Sequence, residues 1–147
     1  MGSHLADYIV GNHNEFEIHG TIREKSNLNN LKQIRNNIVL HLADLNDLSS
    51  IISILRDIQP DKIFHLAAQS TVMKSFDDPT NTFQTNITGT LNLLEAIRKT
   101  NINPIVQICS SSEVYGRVNE DEIPIKENVL LFPVNPYGVS KVAADRL

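Results

Sequence analysis

The chain contains little from which a disulfide framework or a metal centre could be built. Its 147 residues include a single cysteine, Cys109, and no tryptophan. One cysteine cannot form an internal disulfide or a cysteine-based zinc site. Cys109 lies in the apolar run IVQIC, which is typical of a buried strand. We therefore expect a reducing, cytoplasmic setting and no bound metal.

Three further features are scarce. No apolar run approaches the length of a membrane span, and the N-terminus lacks the profile of a signal peptide. The formal net charge of -4 gives no reason to expect nucleic acid or an anionic membrane as a partner. An apolar first strand followed by a glycine-rich turn is also missing, because the chain begins at Gly2 on a predicted helix. It stops at Leu147, early in another helix, so we interpret it as truncated at both ends.

Short apolar runs alternate with helical periodicity along the chain. Together with 41% hydrophobic and 20% charged residues, this pattern predicts an α/β domain with a doubly wound, mainly parallel sheet covered by helices on both faces. The predicted strands are 15–22, 37–42, 62–67 and 105–110. The predicted helices are 2–11, 26–34, 48–58, 80–100 and one that opens at 136.

Polar residues follow several of these strands. Arg23, Asp44, Gln69, Ser111 and Glu113 each come shortly after a predicted strand. In parallel sheets, ligands bind beyond the carboxyl ends of the strands. These residues therefore predict a single site at that edge.

A tyrosine and a lysine stand four residues apart in the last predicted helix. Tyr137 and Lys141 would project from the same face one turn apart. An ammonium beside a phenol favours the phenolate, which is a usable proton acceptor. We expect a serine hydroxyl from a neighbouring strand end to bridge to the same oxygen. Y-x-x-x-K alone is a weak signal, because both residues are common on exposed helices.

With these residues in view, the chain resembles the extended short-chain dehydrogenase/reductase superfamily of nucleotide-sugar enzymes over essentially its whole length. The likeness rests on four segments in order: Gly2-Ser3-His4-Leu5, HLADL (His41–Leu45), HLAAQS (His65–Ser70) and NITGTLNLLEA (Asn86–Ala96). Within the superfamily it looks like the GDP-mannose 4,6-dehydratases and the GDP-4-keto-6-deoxymannose reductases, on Gln69-Ser70 and Ser111-Ser112-Glu113. Galactose epimerases usually carry a small residue where Glu113 stands.

The resemblance implies a Rossmann-like domain over 1–147 that lacks its first strand and most of the glycine loop, with the C-terminal substrate domain absent. It also implies a homodimer or homotetramer at full length. The implied catalytic residues are Ser111, Glu113, Tyr137 and Lys141. The implied cofactor-binding residues are Gly2, Arg23, Asp44, Leu45, Leu66, Ala67, Ala68, Gln69, Asn86, Tyr137 and Lys141. The implied substrate-binding residues are Ser70, Ser111, Ser112 and Glu113.

The implied reaction converts a nucleotide sugar. Tyr137, with Lys141 and Ser111, removes the C4 hydroxyl proton as hydride leaves; Glu113 then takes the C5 proton and helps expel the C6 hydroxyl as water. Arg23 after an acid-free His19–Ile22 favours NADP over NAD, although Glu24 is adjacent. The alternatives are an NADPH-dependent 4-keto-6-deoxy-sugar reductase, a 4-epimerase, an inactive fragment or a noncatalytic Rossmann-type binding module. We expect the isolated chain to bind NADP poorly and to turn nothing over.

Overall fold

Four short strands alternate with helices along the chain. The structure is a computed structural model that describes residues 1–147. The strands are β1 (Ile18–Ile22), β2 (Ile38–Leu42), β3 (Lys62–His65) and β4 (Ile105–Ile108). The helices are α1 (Gly2–Asn12), α2 (Leu48–Ile58), α3 (Val72–Asp77), α4 (Pro79–Phe83), α5 (Gly89–Thr100) and α6 (Pro136–Arg146). None of the helices combines the length and apolar character that a membrane crossing requires.

Both strand pairs are parallel, as predicted. β1 pairs with β2 from Ile18↔Ile38 to Ile22↔Leu42, and β3 pairs with β4 from Lys62↔Ile105 to His65↔Ile108. β1 and β3 do not hydrogen bond to each other, so there are two two-stranded sheets. The ammonium of Lys62, the first residue of β3, lies 4.9 Å from the ring centroid of Phe16 just before β1. This contact brings the starts of β1 and β3 together.

The core lies between α2 and α5. Ile51 and Leu55 of α2 pack on Leu93 and Ala96 of α5, and Ile63 of β3 packs against this cluster. Apolar residues at helical spacing on both helices make this contact possible. The predicted helix at 48–58 is therefore confirmed.

Local sequence signals define the ends of α2. The carboxylate of Asp47 accepts hydrogen bonds from the backbone N–H groups of Ser49 at 3.0 Å and Ser50 at 3.4 Å, which satisfies donors that the first turn leaves free. The helix ends at Gln59, which adopts a left-handed conformation with φ 50° one residue before Pro60.

Two predicted elements differ from the structure, and one element of the structure was not predicted. Residues 26–34 do not form a helix; two short 3₁₀ turns, Asn29–Leu31 and Arg35–Asn37, lie in this region. Asparagine side chains compete for backbone donors there, since the Asn27 amide oxygen accepts from Asn29 N–H. The segment 80–100 is interrupted by a π-helical turn at Gln84–Thr88, and α3 was not predicted.

The sheet is less buried than predicted. Two strand residues are partly exposed where full burial was expected: Val39 of β2 by 44% and Phe64 of β3 by 48%. All four strands are shorter than their predicted ranges. As a result, Cys109 lies just beyond β4 and is half-buried instead of being a buried strand residue.

Candidate active site

The tyrosine–lysine pair lies at the start of α6, where the chain carries strong helix-initiating residues. Asn135 is the N-cap, its side-chain oxygen accepts from the Gly138 N–H at 2.7 Å, and Pro136 occupies the first turn. Tyr137 and Lys141 are only 7% and 8% exposed, and the Lys141 ammonium lies 6.0 Å from the Tyr137 ring centroid. The predicted shared face is confirmed.

Lys141 connects α6 to the carboxyl end of β4. Its ammonium donates a hydrogen bond of 2.7 Å to the backbone carbonyl of Cys109. Burial lowers the pKa of Lys141, while Cys109 and the nearby carboxylate of Asp145 act in the opposite direction. Asp145 itself accepts a hydrogen bond of 2.5 Å from the Ser110 hydroxyl. Two hydrogen bonds therefore hold α6 against residues 109–110.

The Tyr137 hydroxyl is available to a ligand. It has no hydrogen-bond partner within the chain, and no buried side-chain oxygen of the protein lacks a partner. The hydroxyl must therefore reach solvent, although the residue as a whole is buried. The backbone N–H of Tyr137 donates to the Ser75 hydroxyl at 3.1 Å, which anchors the residue from behind.

Ser111 and Glu113 lie on a 3₁₀ turn that follows β4. Ser111 is the N-cap of this turn, and its hydroxyl oxygen accepts from the Glu113 N–H at 3.2 Å. The Glu113 carboxylate accepts from the Asn135 side-chain amide at 2.6 Å. No hydrogen bond joins Ser111 to Tyr137, so the bridging role of this serine remains a prediction. Its O–H proton is still free to donate.

A glycine lets α6 approach this turn. A Cβ atom built on Gly138 would lie 2.7 Å from the backbone oxygen of Glu113 and 3.0 Å from the Pro133 side chain. Only a residue without a side chain fits at this distance. Gly138 therefore sets the close packing between the helix that carries Tyr137 and the turn that carries Glu113.

Asn86 and Gln69 lie together behind the tyrosine helix. The Asn86 side chain accepts from the Gln69 N–H at 2.7 Å and donates to the Gln69 carbonyl at 3.0 Å and to the Ser140 hydroxyl at 2.9 Å. Asn86 is 2% exposed. The amide holds the loop after β3 against α6, and contact of this residue with a cofactor stays a prediction. The Gln69 side chain likewise bonds to Thr71 and Thr82.

A cavity of about 330 Å³ lies at the carboxyl ends of β1 and β2. It brings together two predicted cofactor residues, Arg23 and Asp44, with Glu24 and Asp47 also in its wall. The Asp44 carboxylate accepts from the Asn46 N–H at 2.9 Å and so also stabilises a turn. A hydrogen bond from the Ser49 hydroxyl holds the pKa of the Asp47 carboxyl below its ordinary value. The cavity therefore contains one guanidinium and three carboxylates.

The other predicted binding residues lie along the same edge or beneath it. Leu45 is packed beneath, since a Cβ on Gly89 would lie 3.0 Å from the Leu45 Cβ, and the Leu45 carbonyl accepts from Asn92 at 2.7 Å. Gly2 at the start of α1 lies beside Leu66, whose Cδ1 is 4.0 Å from the position of a Gly2 Cβ. The remaining predicted residues lie on the loops after β3 and β4: Ala67, Ala68, Ser70 and Ser112.

Sequence reasoning missed four residues that hold this site together: Ser75, Asn135, Gly138 and Ser140. The Asn135-Pro136 pair does signal a helix start, so the cap was predictable. The contacts of these residues with distant segments have no local signal.

Parallel strands, connecting helices and a buried tyrosine–lysine pair beyond β4 define a protein of the short-chain dehydrogenase/reductase class. The comparison with family models is more specific. The model described as GDP-mannose 4,6 dehydratase matches residues 1–147. The chain belongs to the GDP-mannose 4,6-dehydratase family.

Curated relatives agree with this assignment. A GDP-mannose 4,6-dehydratase of Vibrio cholerae is 37% identical over 155 residues, which cover 97% of this chain and 40% of the relative. A GDP-6-deoxy-D-mannose reductase of Pseudomonas aeruginosa is 46% identical over 88 residues, which cover 60% of this chain and 29% of the relative. The chain spans about 40% of the length of the curated dehydratases that it matches.

Solved structures confirm the Rossmann-like α/β fold. RMD from Pseudomonas aeruginosa in complex with NADPH has a TM-score of 0.68 and 39% identity, covering 74% of this chain and 38% of that one. A UDP-glucose 4-epimerase of Thermotoga maritima with UDP-glucose has a TM-score of 0.85 and 27% identity, covering 99% of this chain and 45% of that one.

Proposed function

We propose that this chain carries the cofactor-binding and catalytic residues of a nucleotide-sugar 4,6-dehydratase acting on a GDP-mannose-type substrate. The observation that carries the proposal is the position of Glu113. Its carboxylate is held at 2.6 Å by the N-cap of the helix that presents Tyr137 and Lys141. Dehydration needs one base that removes a hydroxyl proton and a carboxylate that removes a proton from carbon. Tyr137 and Glu113 supply these two groups.

Tyr137 acts on the C4 hydroxyl of the sugar. The Tyr137 hydroxyl has no hydrogen-bond partner in the chain and faces solvent. The ammonium of Lys141 lies 6.0 Å from the centroid of the Tyr137 ring, and Tyr137 accepts the proton of the C4 hydroxyl. Ser111 is assigned to hold the same sugar oxygen through its free O–H.

Glu113 carries out the elimination. Its carboxylate removes the C5 proton, which the C4 ketone makes acidic, and the C–H electron pair forms the C4–C5 enolate. That pair then expels the C6 hydroxyl, which takes the proton from Glu113 and leaves as water. Glu113 thereby returns to its ionised state.

The residues of the sheet edge fit a nicotinamide dinucleotide. Arg23 and Asp44 line one cavity, and Gly2 lies beside Leu66. Lys141 and the Leu66–Gln69 segment are assigned to the nicotinamide half. When bound, the cofactor supplies the acceptance of hydride from C4 and its return to C6, after which C5 takes a proton from solvent. Arg23 favours NADP, because its guanidinium can bind the 2′-phosphate of that cofactor. The carboxylates of Glu24, Asp44 and Asp47 in the same cavity repel this phosphate, so NAD is the alternative.

A second candidate is an NADPH-dependent 4-keto-6-deoxy-sugar reductase. The 46% identity with a GDP-6-deoxy-D-mannose reductase favours it. In that reaction Tyr137 donates its proton to a C4 ketone, and Glu113 has no elimination to perform. A 4-epimerase likewise needs no carboxylate at Glu113.

The deciding experiment incubates the gene product containing this chain with GDP-mannose and NADP. A 4-keto product lighter by one water, formed without net cofactor reduction, is the result we expect. Glu113→Gln should abolish dehydration while leaving the protein folded. In a second incubation, reduction of a 4-keto-6-deoxy nucleotide sugar with consumption of NADPH would favour the reductase if no dehydration occurs in the first. Ligand binding without either reaction would favour the noncatalytic module.

The isolated 147-residue chain provides a second test. We propose that it binds NADP poorly and has no turnover, because it spans about 40% of the dehydratases that it matches. We also propose a cytoplasmic location and a homodimeric or homotetrameric assembly for the full protein. Micromolar NADP affinity or measurable turnover by the chain alone would contradict the first of these statements.

A further inference from the structure

We infer that Asn135 is a positioning residue that orients the Glu113 carboxylate and couples it to the helix of Tyr137 and Lys141. The inference deepens the proposed function and rests on it for its catalytic consequence. It starts from one side chain that contacts two elements at once. The Asn135 oxygen accepts from the Gly138 N–H at 2.7 Å, and its NH₂ group donates to Glu113 Oε2 at 2.6 Å.

The orientation of this amide follows from hydrogen-bond chemistry. Only the oxygen of the amide can accept from the Gly138 N–H, so the NH₂ group must point to the other side. The opposite orientation would place the amide oxygen against a carboxylate and an NH₂ group against an N–H. Asn135 is 8% exposed, so water has little access to compete for either bond.

Glu113 is held at three points. Ser111 accepts from its N–H, Gly138 packs against its carbonyl, and Asn135 binds Oε2 of its carboxylate. Oε1 accepts no hydrogen bond from the chain, and no buried side-chain oxygen lacks a partner, so Oε1 is open to solvent. The clamp therefore leaves one defined oxygen to take the C5 proton.

The cap and the clamp belong to the same residue, so the positions of the two reacting groups are linked. Asn135 begins the helix whose second residue is Tyr137, and it also binds the carboxylate of Glu113. Any movement of the first turn of α6 moves the tyrosine and the glutamate together. A dehydratase needs this because both groups act on neighbouring carbons of one sugar.

Serine at position 135 separates the two roles. Asn135→Ser keeps a good N-cap but removes the donor to Glu113. We expect kcat for dehydration to fall by about 10- to 100-fold, the rate equivalent of a hydrogen bond to a charged group, with KM little changed. The matched control is Asp78→Ser, which replaces the N-cap of α4, where Asp78 accepts from Asn81 N–H, and should leave kcat unchanged.

Aspartate at position 135 gives a signature that a structural role would not. Asn135→Asp also caps the helix but places a carboxylate against Glu113. The two carboxylates can restore the contact only by sharing a proton, so the pH optimum for dehydration should move to lower pH than in the wild type. Asn135→Ser should show no such movement. Wild-type kcat in Asn135→Ser, or an unmoved optimum in Asn135→Asp, would overturn the inference.

An NMR measurement tests the clamp independently of the activity. In the isolated chain, the Asn135 side-chain NH₂ resonance should move when Glu113 is replaced by glutamine, while Glu95→Gln should leave it in place. An unmoved resonance in Glu113→Gln would contradict the clamp. A moved resonance, together with failure of the full-length gene product to dehydrate GDP-mannose, would keep the clamp and reject the proposed function.

Discussion

At the residue scale, the site contains ionisable side chains that are buried in the fold. Lys141 is 8% exposed and close to His65, which is also 8% exposed. Burial, and secondarily the charge of Lys141, lowers the pKa of His65. His65 is therefore neutral in the folded protein, and its tautomer is defined. Thr90 donates its only proton to the Asn86 carbonyl at 2.6 Å, so His65 Nε2 must be the donor to the Thr90 oxygen at 2.9 Å.

This neutral histidine predicts an acid-sensitive stability. A histidine with a lowered folded pKa binds fewer protons folded than unfolded, so its contribution is complete above about pH 6.5 and is lost as the pH falls below that value. His65→Gln should make the free energy of unfolding less dependent on pH between about 6.5 and 5. Urea titrations at several pH values measure this dependence.

The control for this prediction is His4→Gln, which replaces an exposed histidine of α1. It should retain the pH dependence of the wild type. An equally steep loss of stability in His65→Gln would show that other groups cause it.

We propose that cofactor choice is also decided by a single residue. Arg23 is the only cation in a cavity with three carboxylates. Arg23→Asp in the gene product should reduce the ratio of NADP to NAD affinity by about tenfold, the equivalent of one charge-assisted hydrogen bond. Titration of both cofactors by calorimetry provides the ratio. Arg56→Asp, in α2, is the charge-matched control, and an unchanged ratio in Arg23→Asp would refute the assignment of this arginine.

At the element scale, the start of α6 and the turn after β4 form one unit. The contact depends on the absence of a side chain at Gly138, where a Cβ would lie 2.7 Å from the Glu113 oxygen. Gly11 has no such constraint. A Cβ on Gly11, near the end of α1, meets nothing within 4 Å.

These two glycines give opposite predictions. Gly138→Ala should lower the free energy of unfolding by about 1–3 kcal/mol, as overpacking does. Gly11→Ala should raise it by about 0.4–1 kcal/mol, because alanine has less backbone freedom to lose on folding. Chemical denaturation of both variants measures the difference. Equal stability of Gly138→Ala and Gly11→Ala would contradict the close approach of α6 to Glu113.

At the scale of the whole molecule, the two sheets leave strand edges without partners. β1 pairs only with β2, and β3 pairs only with β4, while the Phe16–Lys62 contact holds the starts of β1 and β3 together. The free backbone groups of β1 and β3 are suited to pair with one further parallel strand.

This arrangement predicts that an added strand stabilises the chain. An apolar strand joined to the N-terminus through a glycine turn should raise the free energy of unfolding, at about 1 kcal/mol for each net backbone hydrogen bond. Hydrogen exchange should slow at the amides of β1 and β3. A Gly/Ser extension of equal length is the control. Unchanged exchange at β1 and β3 would contradict the proposed pairing.

The features that sequence alone determined are local ones. The apolar period and Asp47 cap of α2, and the shared face of Tyr137 and Lys141, follow from interactions between residues within about one turn of each other. The alternation of strands and helices likewise predicted a parallel α/β fold. The weak helix at 26–34 failed because asparagine side chains bind the backbone there, a competition that apolar periodicity does not reveal.

Only the tertiary structure decided how the site is held together. The Asn135–Glu113, Asn86–Ser140 and Tyr137–Ser75 hydrogen bonds join residues 22, 54 and 62 positions apart. Such contacts depend on how α3, the π-helical turn and α6 pack, and no local propensity specifies them. The sequence therefore determined which side chains we propose for the chemistry. Long-range packing decided that Asn86 supports a loop, that Gly138 admits a backbone carbonyl and that Asn135 binds Glu113.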